Sequence, residues 1–507
     1  MSKKHTGVPW GWVVAVVAAS LLVLWPLFHP GFFVSDDGGW MIIRLSAFYQ
    51  SLSSGQFPVR FIGRLNNSYG YPVSNFLYPG FLYIGSLLHL AGISFPNAVK
   101  VILGVSVAGS AVGIFFALRR RFGAQNSFVG AMSFLFAPYV LYDMYHRGSV
   151  GEILAMLPAA VLMLSLSTGL HWLMPLAYAF LIVSHNTTAL LFGSAFGVIL
   201  LTQPKPARYI WHMALGIGLS AFFWAPAIFE QSLVQFQNVT VSDPSQYFIT
   251  LPQAVLLGIP TLLCVALALG LKSKHRMFDM TLIVLIALGY ALALPVSAVL
   301  WQMPVLSKLV QFPYRFLVLP VLLGPWVVSR TAEALSGRKR VLFLLILAAL
   351  WIIPVMSAEK SITFVQQPLG YYTTNEGTTT VANEYMPRWV SEISKQRTLD
   401  TIDVISGDAN LSMRIFPKEA IKTTAWVKET SVLQINKLYY PGWGVTIDGV
   451  LTPIDHQNPF GFMRITVPPG VHQIVAVFRE TPERFMADIV SVVSLIVYGI
   501  VLKRLAA

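Results

Sequence analysis

The chain has 507 residues, 55% of them hydrophobic and 11% charged, against about 25% charged in an ordinary globular protein; it reads as a polytopic membrane protein, not a string of soluble domains. Its net charge of +13 sits mainly in short loops between apolar runs, so it marks membrane sidedness and argues against nucleic acid as a partner. A single cysteine, Cys264, lies inside an apolar run, which excludes a disulfide framework, a cysteine-based zinc site and a dithiol redox centre; no GxxxxGK(S/T) loop, HExxH helix or EF-hand loop is present.

A hydrocarbon core of about 30 Å needs roughly 20 apolar residues per helix. Twelve runs approach that length: 10–29, 97–118, 124–141, 151–168, 172–185, 188–202, 209–228, 253–271, 278–296, 313–330, 340–357 and 485–502. The first follows Lys3 and Lys4 and lacks a small-residue cleavage pattern, so it is expected to stay as an anchor. A polar stretch, 30–96, comes next. Within it, 77–92 is apolar, but counting it as a span would invert everything after it, so it is expected to be an interfacial or re-entrant helix. After the eleventh run, 358–484 changes to alternating apolar and polar residues, as in SVLQINKLYY (431–440) and HQIVAVFRE (472–480), with Asp448-Gly449 and Pro469-Gly470 as turn chemistry. The expected organisation is a membrane domain over 1–357, a β-rich domain over 358–484, and a final helix with its tail over 485–507.

Lys and Arg in short loops resist translocation. With the N-terminus cytoplasmic, sixteen lie inside, among them Arg119, Arg120, Arg121, Lys272, Lys274 and Arg276, whereas the outer loops before residue 358 hold five: Arg44, Arg60, Arg64, Arg147 and Lys308. Both termini are therefore expected in the cytoplasm, and 358–484 outside.

Ionisable groups are costly at membrane depth, so those at the outer ends of spans are the candidates for chemistry. Asp36 and Asp37 follow the first span in SDDGGW; adjacent carboxylates suit a general base or a divalent-metal ligand, although Asp-Asp-Gly-Gly is also good turn composition. YDMYHRGSVGE brings Asp143, His146, Arg147 and Glu152 into one short loop, His185 and Asn186 sit in SHNTT, and Arg315 opens the tenth span in QFPYRF. Arginine offers a fork suited to phosphate, but a single interfacial arginine can equally snorkel to lipid headgroups. Convergence of carboxylates, imidazoles and guanidiniums on one membrane face favours an enzyme over the rival reading, a transporter with repeated halves and charges at mid-depth.

The acidic residue after the first span, the long outer loop with SNFLYPGFLYIGSLLHLAG (74–92), and a span ending in Arg-Arg-Arg-Phe-Gly resemble the glycosyltransferase C (GT-C) superfamily. GYP (70–72), HRGSVGE (146–152), SHNTT (184–188), QFPYRFL (311–317), NEYMP (383–387), YYPGW (439–443) and FRETPER (478–484) are similar to YfhO-like bacterial membrane proteins and the related "6-pyruvoyl-tetrahydropterin synthase-related" family; the scattered histidines do not support pterin chemistry. The resemblance implies a GT-C-like bundle of about twelve helices with a small extracytoplasmic β domain, in a bacterial-type inner membrane. It implies an inverting transfer of sugar from a polyprenyl-phosphate donor to an envelope glycan, lipid or protein. Asp36 or Asp37 would be the base, Arg315 and then Arg147 the phosphate partners, and Glu152, His185, His146, Asn186 and Tyr78 further pocket residues. Mg²⁺ or Mn²⁺ held by Asp36 and Asp37 is implied for metal-dependent members. Tyr78 and Tyr83 would line a groove for the lipid tail, and Trp389, Tyr439, Tyr440 and Trp443 would either stack on sugar or fill the β core. The alternative functions are a flippase or transporter, or a non-catalytic assembly protein, for lipid-linked envelope glycans.

Overall fold

The computed structural model describes residues 9–239, 241, 243–250, 253–270, 275–397, 401–415 and 420–506. Lys3, Lys4, Lys272 and Lys274, used above for sidedness, lie outside the described residues. The helices in order are α1 (Trp10–Leu24), α2 (Gly38–Ser53), α3 (Gly80–Leu90), α4 (Phe95–Leu135), α5 (Pro138–Leu141), α6 (Val150–Thr168), α7 (Leu173–Ser184), α8 (Asn186–Leu201), α9 (Pro206–Leu219), α10 (Ala221–Phe229), α11 (Ile259–Leu269), α12 (Arg276–Ala293), α13 (Ala298–Trp301), α14 (Pro304–Leu309), α15 (Val318–Ala334), α16 (Gly337–Ser361), α17 (Leu369–Thr373) and α18 (Pro482–Ala506).

Among the described residues seven helices are long and apolar enough to cross a membrane, or eight if a bent pair counts as one span. The expected run 97–118 and the first part of 124–141 are both in α4, whose backbone leaves helical geometry at Gly123 (φ 72°, ψ 171°), and the end of the second run forms α5. The run 209–228 is the bent pair, broken by 71° between α9 and the segment from Ala221. The runs at 172–185, 188–202 and 253–271 appear as the shorter apolar helices α7, α8 and α11. Helix α3 has 11 residues, about 16 Å at 1.5 Å per residue, too short to span. The bundle has an inside and a rim: 89% of the apolar window of Pro313–Ala334 and 72% of that of Val150–Thr168 is buried, against 11% for Pro482–Arg504. The two most enclosed helices are those that carry the candidate site.

The C-terminal β-rich region contains a five-stranded sheet, β4-β5-β10-β7-β8, and a three-stranded one, β3-β6-β9, all neighbours antiparallel. Here β1 is Phe32–Phe33, β2 Phe364–Val365, β3 Ile402–Ser406, β4 Ala409–Ile415, β5 Ile421–Val427, β6 Ser431–Leu438, β7 Trp443–Ile447, β8 Val450–Thr452, β9 Phe462–Val467 and β10 Gly470–Phe478. Period-2 burial is clear in β5, where Ile421, Thr423, Ala425 and Val427 point inward. Asp448 (φ 51°) and Gly449 (φ 84°) form the two-residue turn joining β7 to β8, with Ile447 opposite Val450. Pro469-Gly470 does something else: Pro468 and Pro469 carry the chain from β9 in one sheet to β10 in the other.

β1 pairs with β2, so the chain leaving α1 is clamped to the chain leaving α16. The loop 54–79 is the platform under the β region. Leu438 N donates to Tyr69 O (2.8 Å), Tyr69 stacks on Phe462 (4.4 Å), and Phe61 packs on Phe478 (5.3 Å) and Trp443 (5.8 Å).

Candidate functional site

Three features of local sequence build the site. First, helix α5 loosens into a single π-helical stretch at Tyr142–Arg147, a geometry that is rare and often found where function requires a displaced side chain. Second, Gly148 takes a left-handed turn (φ 67°), and a Cβ there would lie 2.5 Å from Ser35 Oγ and 2.6 Å from Gly38 N; glycine lets the 35–38 loop sit directly on this turn. Third, a Cβ on Gly151 would fall 2.1 Å from the Tyr78 ring and 2.7 Å from Ser184 O, so the bare backbone admits Tyr78 and the α7–α8 junction together. HRGSVGE is thus a junction for three segments far apart in sequence.

The acidic loop is fastened to that junction by backbone. Asp36 N donates to His146 O (3.0 Å) and Asp37 N to Arg147 O (2.8 Å), after which α2 begins at Gly38. Asp37 occupies the N-cap position without a side-chain cap bond, next to the positive end of a helix. The Asp36 side chain is 64% exposed and lies 3.6 Å from His146 Nδ1, itself 65% exposed. His146 stacks on Tyr142 (4.9 Å).

Behind this exposed edge is a buried ionic cluster. Glu152, at the first turn of α6, accepts from Tyr139 OH on Oε1 (2.7 Å) and from Arg147 Nη1 on Oε2 (2.8 Å). Arg147 also donates to Asp143, one turn earlier, and lies over the Tyr314 ring (5.2 Å). Arg315 comes from the tight turn before α15; its Nη1 donates to Val310 O (2.9 Å) and Gln311 Oε1 (2.7 Å). That leaves Arg315 Nε buried, 4.0 Å from Glu152 Oε2 and without a hydrogen bond, and Asp143 Oδ2 is likewise buried and unpartnered. Unpaired buried polar atoms are costly and call for an explanation; a ligand group that Arg315 could bond is one.

His185 caps α8, accepting from Thr188 N on Nδ1 (3.2 Å), which leaves Nε2 to carry the proton of the neutral ring. Its ring meets Tyr78 edge-on at 4.8 Å. Burial pushes the Tyr78 hydroxyl up to about 12, while the charges of Arg44, Asp37, Arg315 and Arg147 all act on it, so Tyr78 stands among these groups. Asn186 does not face them with a free amide: its Nδ2 holds Phe76 O (3.2 Å). Tyr83 receives Val59 N (3.3 Å) and packs on Phe48 and Phe57.

Among the described residues no three His, Cys, Asp or Glu side chains gather as a metal cage. Mg²⁺ in phosphate chemistry often takes only one or two protein carboxylates and completes its shell with water and substrate oxygen; Asp36 and Asp37, adjacent at an exposed edge, meet that smaller demand. Sequence reasoning passed over Tyr139 and Tyr314 and gave Asp143 no role. The four-residue spacing of Asp143 and Arg147 was the available signal for that pair. Of the four aromatics offered to sugar, Tyr440 (0% exposed) and Trp443 (7%) belong to the core. Trp389 and Tyr439 are partly exposed and stand with His456, which stacks on Tyr439 at 4.1 Å.

No family model and no curated protein matches the chain. Solved structures that bear a likeness to it include those of three proteins. The arabinofuranosyltransferase AftD from Mycobacteria aligns over 70% of this chain and 27% of its own, with TM-score 0.48 and 16% identity. ArnT from Cupriavidus metallidurans, bound to undecaprenyl phosphate, aligns over 68% and 64%, with TM-score 0.44 and 15% identity. The Archaeoglobus fulgidus oligosaccharyltransferase, in complex with Zn and sulfate, aligns over 72% and 53%, with TM-score 0.44 and 12% identity. The chain thus spans about a quarter of AftD's length and less than two thirds of the other two. At these scores no residue's role passes from them to this chain.

Proposed function

We infer that this is a membrane glycosyltransferase of GT-C type, taking a sugar from a polyprenyl-phosphate donor and passing it with inversion to a hydroxyl of an envelope glycan, lipid or protein on the outer face. The observation that carries this reading is the meeting of the Asp36–Asp37 loop with Arg147 and of Arg147 with Arg315 through one carboxylate, Glu152. In this reading the base and the phosphate partner would lie on two sides of the sugar, as in-line displacement requires. Asp36 or Asp37 takes the acceptor proton as the acceptor oxygen bonds to the anomeric carbon. The bond from that carbon to the phosphate oxygen breaks, and the polyprenyl phosphate leaves with its electron pair against the Arg315 guanidinium. Arg147, whose Nη1 donates to both Asp143 and Glu152, is a positioning residue that holds Glu152 where it aims Arg315. Asp36 and Asp37 would also be the residues to hold a divalent ion, which would supply charge that favours deprotonation of the acceptor hydroxyl. Both termini would then lie in the cytoplasm and 358–484 outside, over the acceptor.

The test is transfer from radiolabelled polyprenyl-phosphate sugars by the purified full-length protein in lipid, compared with Asp36→Asn and Asp37→Asn, with and without chelator. Loss of transfer in one variant identifies the base, and chelator sensitivity decides the metal. Equal donor binding without turnover in all three proteins would instead favour a carrier of lipid-linked glycans.

A further inference from the structure

Helix α6, 19 residues from Val150 to Thr168, carries Glu152 of the candidate site in its first turn, so its far end at Thr168 is about 24 Å from Glu152 at 1.5 Å per residue. Two adjoining cavities lie at that far end, of about 560 and 660 Å³, sharing Arg276 and Trp326 as lining residues. Their charged groups are mostly guanidiniums, and Ser167, Thr202, Gln203 and His275 add neutral polar groups to the second cavity. Arg120 Nη1 holds Thr168 O (2.5 Å), and Arg121 Nη2 grips both oxygens of Asp279 (2.8 and 3.0 Å), to which Arg330 Nε also approaches (3.4 Å). Among the described residues Asp279 is the one acidic residue lining either cavity, against Arg120, Arg121, Arg276 and Arg330; Glu333 is exposed one turn beyond Arg330. Apolar wall is supplied by Met163 and Leu166 in one cavity and by Leu282 and Ile283 in the other.

An excess of arginine at a membrane face is ordinary for headgroup contact; two further observations make this a built site. Arg121 is boxed by three aromatic rings, Phe122 (5.4 Å), Phe278 (5.7 Å) and Trp326 (5.3 Å), which fixes a cation that could otherwise reach for solvent. Trp326 is 8% exposed, lines both cavities, and its buried indole N–H has no hydrogen-bond partner. A donor-only group left unpaired in such a place lacks an acceptor. We propose that this double cavity binds the phosphate of an amphiphile, the phosphate oxygens meeting Trp326 Nε1, Arg120 and Arg276 while an acyl or prenyl chain lies along Met163 and Ile283. The site is separate from the ionic cluster around Glu152 and stands whether or not transfer occurs there.

Native mass spectrometry of the full-length, delipidated protein tests this, with phosphatidylglycerol, phosphatidylcholine and inorganic phosphate as probes, on wild type, Trp326→Phe and the double variant Arg120→Gln/Arg276→Gln. Both substituted arginines are exposed at the rim and Phe keeps the ring, so folding is expected to survive; unchanged elution and melting temperature verify it. Expected are retention of one phosphatidylglycerol in preference to phosphatidylcholine, a fall in its affinity of about tenfold in the double variant and about threefold in Trp326→Phe, as for charge-assisted and single hydrogen bonds. Competition by millimolar phosphate would assign the site to a free phosphate; its failure, to the lipid. Equal retention of the two lipids, or loss in the arginine variant with none in Trp326→Phe, overturns the proposal, the latter because rim charge alone would then be acting.

Discussion

The molecule holds two buried ionic centres built around a glutamate, and they are put together differently. Glu230, at the end of α10, accepts four hydrogen bonds: from Arg484 Nε (2.6 Å) and Nη2 (2.8 Å), Tyr440 OH (2.6 Å) and Asn75 Nδ2 (2.8 Å). Those donors come from the last helix, the β region and the outer loop, so one saturated carboxylate fastens four parts of the chain. Glu152 accepts two, from Tyr139 and Arg147, and leaves Arg315 Nε beyond bonding distance. A carboxylate offers about four acceptor positions. Glu230 is filled and acts as a fastener, although Arg484 Nη1 is itself buried and unpartnered; Glu152 is underfilled beside an arginine nitrogen that makes no hydrogen bond, so a ligand can complete the set there.

That contrast is broken most sharply at the two arginines. Arg315→Gln is expected to lower transfer by about a hundred- to a thousandfold, as loss of one preorganised charge stabiliser does, with little change in melting temperature. Arg315→Lys keeps a point charge without the fork and should recover only part of the rate. If Arg315→Gln instead lowers the melting temperature and leaves turnover per folded molecule intact, the Glu152 centre is a second fastener.

Arg484→Gln is the mirror experiment. Arg484 is fully buried, and removing one member of a buried pair costs about 3–5 kcal/mol because the other charge stays behind. A large loss of thermal stability is expected, read by the unfolding midpoint in detergent, with normal turnover in the fraction that remains folded. A stable Arg484→Gln with reduced kcat would move function to the Glu230 centre.

A smaller effect is expected at Gly148. Alanine would carry about 1 kcal/mol or more of left-handed backbone strain and a Cβ 2.5 Å from Ser35 Oγ, pushing the Asp36–Asp37 loop off the Arg147 turn. Transfer should fall about tenfold or more with modest destabilisation; Gly39→Ala, where a Cβ meets nothing within 4 Å, is the control and should keep its rate.

The difference between the two centres also explains what could be read from sequence. Arg147 and Glu152 sit in one short motif, and Arg315 opens an apolar run, so expense at membrane depth was enough to mark them. Asp448-Gly449 announced its hairpin because only such pairs tolerate two positive φ angles. Glu230 and Arg484 are 254 residues apart, and neither lies in a pattern that points to the other. Tyr139 looked like one more aromatic in an apolar run, since only the fold brings its hydroxyl to Glu152. The break at Gly123 was invisible for a related reason: two apolar runs joined by Arg-Arg-Arg-Phe-Gly have the same composition whether they form two helices or one interrupted element.

The least effect belongs to a pair outside both centres. In the β region His472 Nδ1 and Asp448 Oδ2 are 2.7 Å apart, and Asp448 Oδ1 also accepts Gln473 N (2.7 Å). The hydrogen bond to Asp448 raises the His472 pKa, and the Gln473 amide, followed by His472, lowers that of Asp448. The raised histidine contributes stability that is complete below its unfolded value and is lost as pH rises through the folded one. The depressed aspartate contributes above its unfolded value and loses it as pH falls through the folded one. The pair therefore supports the turn most between about pH 4 and 6.5, the unfolded values of the two groups, and fades on the alkaline side first under physiological conditions. Unfolding midpoints of the full chain from about pH 5 to 8 should show wild type losing a small increment relative to Asp448→Asn as pH rises. Parallel curves would mean that the hairpin is held by its Asp-Gly turn alone, and that the ion pair, unlike the clusters at Glu230 and Glu152, is a surface contact of no consequence.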